Sequence, residues 1–212
     1  MKKRLIIYGM AFCFLVLTVS QAHAIQIAGK GVKVGFSMAN VSGKYVDVMN
    51  DIFNINNSAR IGLALGGYLT INVSDNFSVQ PELLFVQKGT KWSKEEWKLV
   101  YRFSYLEIPI LAKYSFTAGS DMKAFVFAGP ALAFKVGATI YGKDEDESET
   151  EDFDDAKGMD FGVVFGAGME KPFGKNVITV DVRYTLGLSN CSEEKEFDFK
   201  NSAILIMAGI GF

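Results

Sequence analysis

The stretch AILIMAGIGF, residues 203–212, decides how this chain is read. Ile204, Ile206, Ala208 and Ile210 recur at a spacing of two and Phe212 continues the series, so a strand there carries one apolar face to its last residue. A soluble domain ordinarily frays into a polar tail at such a position. A closed membrane barrel instead needs its final strand paired on both edges and greasy on the outside.

The same period runs through the chain. Ile61, Leu63, Leu65, Leu69 and Ile71 alternate with Arg60, Gly62, Ala64, Gly66, Tyr68, Thr70 and Asn72. Val32, Val34, Phe36 and Met38 alternate with Lys33, Gly35 and Ser37; Phe77, Val79, Leu83 and Phe85 with Ser78, Gln80, Glu82 and Lys88. Leu106, Ile108, Ile110, Tyr114 and Phe116 oppose Glu107 and Lys113. Phe161, Val163, Phe165 and Met169 oppose Asp160, Gly162, Gly166, Gly168 and Glu170, and Ile178, Val180, Val182, Tyr184 and Leu186 oppose Thr179, Asp181, Arg183 and Thr185. The segment 124–136 is apolar on both faces and is a strand by length and position. With the terminal strand this makes eight, an even number, as single-chain outer-membrane barrels have. The expected fold is therefore all-β, an eight-stranded antiparallel up-and-down transmembrane β-barrel occupying 25–212.

The other end of the chain agrees. Residues 1–24 read as a secretory signal peptide: Lys2, Lys3 and Arg4 precede an apolar run, and Ala22, His23 and Ala24 form a small-residue exit. The run is short for a membrane helix, which needs about 20 residues, and the residues before Cys13 do not form a lipobox. Removing Lys2, Lys3 and Arg4 from the 22 basic residues leaves 19 against 24 acidic ones, a formal charge of −5 that offers nothing to a nucleic-acid partner. Cys191 is then the sole cysteine, so no disulfide inside the chain holds the fold.

Short connections (74–76, 117–123, 172–176) alternate strictly with long ones (41–58, 89–99, 142–158, 189–200). Short turns are periplasmic and long loops extracellular in such barrels, so four loops are expected outside and both termini in the periplasm. Trp92, Trp97, Tyr101, Phe103 and Tyr141 fall where an outer aromatic girdle would lie, and Phe77, Tyr114, Phe116 and Phe173 where an inner one would. Pro81, Pro109 and Pro130 sit within strands, where each removes a ladder donor, and bulges are expected at all three.

The proline segments belong to a set of soft motifs: GVKVGFSMANVSG (31–43), VQPELLFVQKG (79–89), YLEIPILAKYSF (105–116), FAGPALAF (127–134), DFGVVFGAGME (160–170) and VDVRYTLGLSN (180–190). In their order and spacing the chain resembles the PorT-like outer-membrane β-barrel family of Gram-negative bacteria. The resemblance implies an eight-stranded barrel whose aromatic carboxyl end, here Phe212, is read as an assembly signal by the barrel-assembly machinery. It transfers no catalytic or binding residue, and the secretion role of the member that names the family is not carried over.

Chemistry is narrowed by subtraction. His23 is the single histidine and leaves with the signal peptide, which removes Ser-His-Asp and Cys-His nucleophiles and imidazole metal sites. Carboxylates remain. Glu82, Glu107, Asp160, Glu170 and Asp181 share inward faces with Arg60, Lys88, Lys113 and Arg183. A buried acid can serve as a general acid, but the interior of an eight-stranded barrel is just wide enough for its side chains to fill. A structural charge network across the lumen is the expectation, helped by Leu205 and Met207, which narrow any water path. Gly162, Gly166 and Gly168 lack the setting of a nucleotide loop and read as wall glycines that permit bending and close strand approach.

Nine acidic residues crowd 144–155, among them Asp144, Asp146, Asp152 and Asp154. Oxygen ligands could gather calcium there, but the run lacks the turn glycine and spacing of a calcium loop, and like-charge blocks usually stay solvated and disordered. The chain thus reads as a non-enzymatic, cofactor-free, monomeric outer-membrane protein of structural or interaction role. Its partners are outer-membrane lipid, the assembly machinery, and a protein or glycan at the external loops. A narrow pore and a soluble periplasmic lipocalin-like lipid carrier are the alternatives, the latter requiring the apolar faces to point inward.

Overall fold

The computed structural model describes residues 27–94, 97–119, 121–144, 147–153, 156–192 and 198–212. The proposed signal peptide lies outside them. Among the described residues, nine strands and one helix follow in chain order: β1 Ile27–Ser42, α1 Lys44–Phe53, β2 Ser58–Asn72, β3 Phe77–Lys94, β4 Trp97–Thr117, β5 Lys123–Asp144, β6 Glu147–Asp152, β7 Met159–Phe173, β8 Asn176–Gly187 and β9 Lys200–Gly211. Neighbours pair antiparallel in the order β4-β3-β2-β1-β9-β8-β7-β5, and β4 pairs with β5 to close the ring. Eight strands form the wall, and β6 is an extra strand hairpinned onto the far half of β5.

The register measures the barrel. Phe134 pairs with Leu106, Leu106 with Phe85, Phe85 with Leu65, Leu65 with Val34 and Val34 with Ala208. Ala208 then pairs with Val180, Val180 with Met169 and Met169 with Ala124, so one circuit returns to β5 ten residues from its start. That stagger, at roughly 3.3 Å per residue across eight strands about 4.8 Å apart, tilts the strands by about 41°. A 25 Å hydrocarbon belt is then crossed in about ten residues. The 21 residues of β4 and 22 of β5 are twice what the belt needs.

Side chains sort as the period demands. Val34, Phe36, Ile61, Leu63, Leu83, Ile110, Phe165, Val182, Ile206 and Phe212 are exposed on the outside, while Lys33, Glu82, Glu107, Asp181, Arg183, Leu205 and Met207 are buried inside. This is the reverse of a lipocalin, and it removes the soluble-carrier alternative.

Wall glycines make room for what crosses the lumen. A Cβ at Gly166 or Gly168 would lie 2.6 or 2.5 Å from the rings of Phe127 and Phe125, so these positions accept large neighbours rather than merely bend the strand.

Several expectations are corrected. Segment 89–99 is not a loop: β3 and β4 continue as a ladder to Lys94↔Trp97. In 142–158, the acidic residues Glu147–Asp152 form β6, paired from Asp144↔Glu147 to Thr139↔Asp152, with every residue solvent-exposed. Glu147, Glu149 and Glu151 share one face of this ladder and Asp152 lies on the other, and full exposure leaves every carboxylate hydrated, so their repulsion is tolerated. Asp144 and Asp152 lie on this hairpin; Asp146 and Asp154 lie outside the described residues.

The prolines carry no bulge. Pro81↔Ile110 and Leu84↔Glu107 share one offset, as do Pro109↔Ala131 and Ala112↔Ala128, and Pro130 pairs in step with Val163. The breaks fall elsewhere, between Ile27 and Gly29, between Ala59 and Ala64 and between Ser104 and Tyr105. Nor do Trp92, Tyr101 and Phe103 belong to a girdle, since they are buried. Phe77, Tyr114, Phe116 and Phe173 do face outward at the end bearing the short turns.

At the opposite end the long hairpins enclose an aromatic core of Trp92, Tyr101, Phe103, Tyr105 and Phe199, with Phe53, Trp97 and Phe153 against it. Tyr101 meets Trp92 edge-on at 5.6 Å and Phe153 at 5.5 Å, an arrangement favoured by the ring quadrupoles. α1 covers this core with Val46, Met49 and Phe53. The turn into α1 requires glycine: Gly43 has φ 139°, and a Cβ there would stand 2.2 Å from the Asp198 carbonyl oxygen. Asn54, left-handed at φ 52°, ends the helix with its N–H on the Asn50 and Asp51 carbonyls.

Candidate functional site

The lumen holds stacked layers of charge. In the middle, Lys33 Nζ lies 2.8 Å from Asp181 Oδ2 and 3.1 Å from Glu82 Oε1. Arg183 spans the same two acids, with Nε 2.8 Å from Asp181 Oδ1 and Nη1 donating to Glu82 Oε2. Gln80 Nε2 donates to Glu82 at 2.7 Å, and the two cations stand 5.0 Å from the rings of Tyr68 and Phe127. Two cations, two anions and a saturated set of oxygens make a neutral plug whose side chains are at most 3% exposed.

A second layer lies toward the aromatic core. Lys88 Nζ donates to Glu107 at 2.6 Å, and Asp160 accepts from Ser189 Oγ and, at 3.4 Å, from Asn201 Nδ2. Asn201 Nδ2 also reaches Tyr105 and Cys191, each at 3.1 Å. Burial and the Asp160 carboxylate push the Cys191 thiol, which sits in the connection after β8, up to about 12. A third layer, Lys113 with Glu170 at 2.6 Å, faces the turn end and borders a cup of about 320 Å³. Two apolar clusters pack beside the charges: Leu84, Val86, Leu205 and Met207 in one, Leu111, Phe125, Phe127 and Val164 in another.

Eight of the nine lumenal residues singled out in the sequence are brought into these layers, seven in ion pairs and Asp160 through Ser189 and Asn201. Arg60 is not. Beside the break between Ala59 and Ala64 its Nη1 bonds the backbone carbonyl of Lys88 at 2.9 Å, its chain passes over Gly89, and its charge feels Arg102. Lys33 was missed as a member of the network. Its signal was present: it occupies the inward row of β1, and five inward acids had only four assigned cations. Asn201 and Tyr105 carry no such signal, because each is a neutral side chain on an inward row whose partners, Asp160 and Cys191 among them, are brought together only by the closed ring.

Among the described residues no group of three or more His, Cys, Asp or Glu side chains is placed to hold a metal ion. What the architecture defines is an outer-membrane barrel, apolar toward lipid and ionically packed within. The family described as "Outer membrane protein beta-barrel domain" matches residues 21–193, and the chain belongs to it. It is a transmembrane protein of the outer membrane.

Similar solved structures include Neisserial surface protein A, at 10% identity and TM-score 0.48 over 86% of this chain and 95% of that one. Ail, the attachment invasion locus protein of Yersinia pestis, in complex with the heparin analogue sucrose octasulfate, gives 13%, 0.44, 88% and 100%. The N-terminal β-barrel domain of Pseudomonas aeruginosa OprF gives 15%, 0.37, 88% and 100%. Comparison with the curated proteins gives no significant match.

Proposed function

We propose that this chain is a closed, non-catalytic monomeric barrel that acts through the end bearing α1 and the long hairpins, displayed outside the cell, in a structural or interaction role. The observation that carries the reading is the central Lys33–Glu82–Asp181–Arg183 plug, buried to within 3% and followed by an aromatic core that fills the mouth above it. A lumen packed in this way supports neither solute passage nor an active site, so interaction falls to the protruding surface. Outer-membrane lipid surrounds the wall, and the motifs from 31 to 190 support placement in the PorT-like branch of the family. Phe212, paired through its backbone with Lys30, is the terminal element of the assembly signal, and residues 1–24 are the export signal.

Ser148 on β6 is exposed. In Ser148→Cys, a membrane-impermeant maleimide added to intact cells labels the protein if the hairpin end is outside. Labelling that appears only after outer-membrane permeabilisation overturns the orientation.

A further inference from the structure

The extended ladder beyond the hydrocarbon belt has an outer face as well as the inner one that carries the aromatic core. On β4 the outward row runs from Phe116 through Ile110, Ile108 and Leu106 in the belt to Ser104, Arg102, Val100 and Lys98 above it. Val100 pairs with Lys91 on β3 and with Tyr141 on β5; Lys98 pairs with Lys143, and Arg102 with Thr139. Lys91 is thus diagonal to both Lys98 and Arg102, and four cations surround one buried valine. Arg60 approaches the same face beside Arg102.

Two features mark this patch as built for an anion. Lys98 and Lys143 are direct cross-strand partners, and like charges in that relation destabilise a ladder. Yet no salt bridge joins Lys91, Lys98, Arg102 or Lys143 to a carboxylate among the described residues. Asp152, in the row of Arg102 and Thr139 but two strands from Arg102, makes no ion pair with it. The Arg102 guanidinium rests 4.8 Å from the Tyr141 ring, a cation–π contact that holds it on this face.

Height identifies the occupant. Arg102 lies four residues along β4 from Leu106, roughly 10 Å above the top of the lipid-facing rows at the tilt derived above. That is the level of lipid headgroups, and the patch continues the lipid-facing wall. We propose that Lys91, Lys98, Arg102 and Lys143 bind the phosphate-bearing headgroup of an outer-leaflet glycolipid, with Arg102 making the bidentate contact and the lysines neutralising the remaining charge. This rests on the proposed orientation, under which the hairpin end meets the outer leaflet.

The test uses the full mature barrel refolded in neutral detergent, titrated with bisphosphorylated lipid A and, separately, with a phosphate-free analogue, and read by native mass spectrometry. Wild type retains the bisphosphorylated form at least tenfold better. K91Q/K98Q/R102Q/K143Q lowers retention to that of the analogue, and K98Q/K143Q gives an intermediate loss. Both variants must show the gel mobility shift of a folded barrel, and K98Q/K143Q, which removes a repulsion, serves if the quadruple variant does not fold. Equal retention by wild type and K98Q/K143Q overturns the proposal. So does loss confined to a turn-end variant, K30Q/K123Q/K175Q, or a preference for a sulfated glycan over lipid A at matched charge. Binding in detergent is independent of orientation, so these outcomes are separate from the labelling of Ser148→Cys.

Discussion

Arg183 is the residue on which the interior turns, because it reaches Glu82 and Asp181 at once. Arg183→Met leaves two buried carboxylates facing one lysine, and breaking such a pair costs about 3–5 kcal/mol. Urea unfolding of the refolded barrel should show that loss. Replacing Lys33 and Asp181 together by Met and Leu removes one charge of each sign and should cost less than Asp181→Leu alone. Equal losses would mean the four groups do not act as a network. Cys191 gives a second prediction. With its thiol pushed up to about 12, the thiolate fraction at pH 8 is about one in 10⁴, so maleimide should label the folded protein very slowly and the unfolded protein quickly. The shift also has a sign for stability. Below about pH 9 both states keep the proton; above it the unfolded chain ionises first, so stability falls as pH rises toward about 12. Most lumenal pairs were legible because parity places a charge inside whatever its partner is. Arg60 was not, since the break beside it sends the side chain over Gly89 instead of into the lumen.

Among the elements, β9 has the simplest consequence. It pairs with β1 from Gly31↔Gly211 to Ser42↔Lys200 and with β8 from Val177↔Gly211 to Leu186↔Ser202. Deleting 202–212 opens two strand edges inside the hydrocarbon, where each unmatched backbone group costs several kcal/mol. No truncated protein should appear in the membrane fraction or show the folded gel shift, and an unaltered membrane yield would contradict the assembly role given to Phe212. α1 is the opposite case. Replacing 44–57 by a short Gly-Ser link removes Val46, Met49 and Phe53 from the aromatic core but leaves the wall intact. The barrel should still insert, with tryptophan emission shifted to the red as Trp92 and Trp97 meet water. Unshifted emission would show that α1 does not shield the core. The lipid-facing strands were readable in the sequence because two-residue alternation is a local pattern. The hairpin extensions were not. Above the belt, neither face meets the hydrocarbon, the outward row turns basic and the inward row aromatic, and loop-like composition conceals a continuing ladder.

At the scale of the molecule, the proposed closed barrel differs from a channel by its sealing. Its diameter follows from eight strands and a ten-residue stagger, and an interior of that size is filled by its own side chains. Here the filling is ionic in the middle and aromatic at one mouth, with an open cup of about 320 Å³ at the other. An ion entering from the cup would first meet the Lys113–Glu170 pair and then a plug that is neutral and already hydrogen-bonded. Passage would require separating Arg183 or Lys33 from both acids, at the same cost of about 3–5 kcal/mol per broken pair. Above that it would have to part Trp92, Tyr101 and Phe103 as well. Planar bilayers containing the purified barrel should therefore show no discrete conductance steps at moderate voltage. Arg183→Met should admit at most brief, small events, because the aromatic core above the plug remains. Stable steps from the wild-type protein would mean that the lumen opens as a unit, and the narrow-pore reading would replace the closed one.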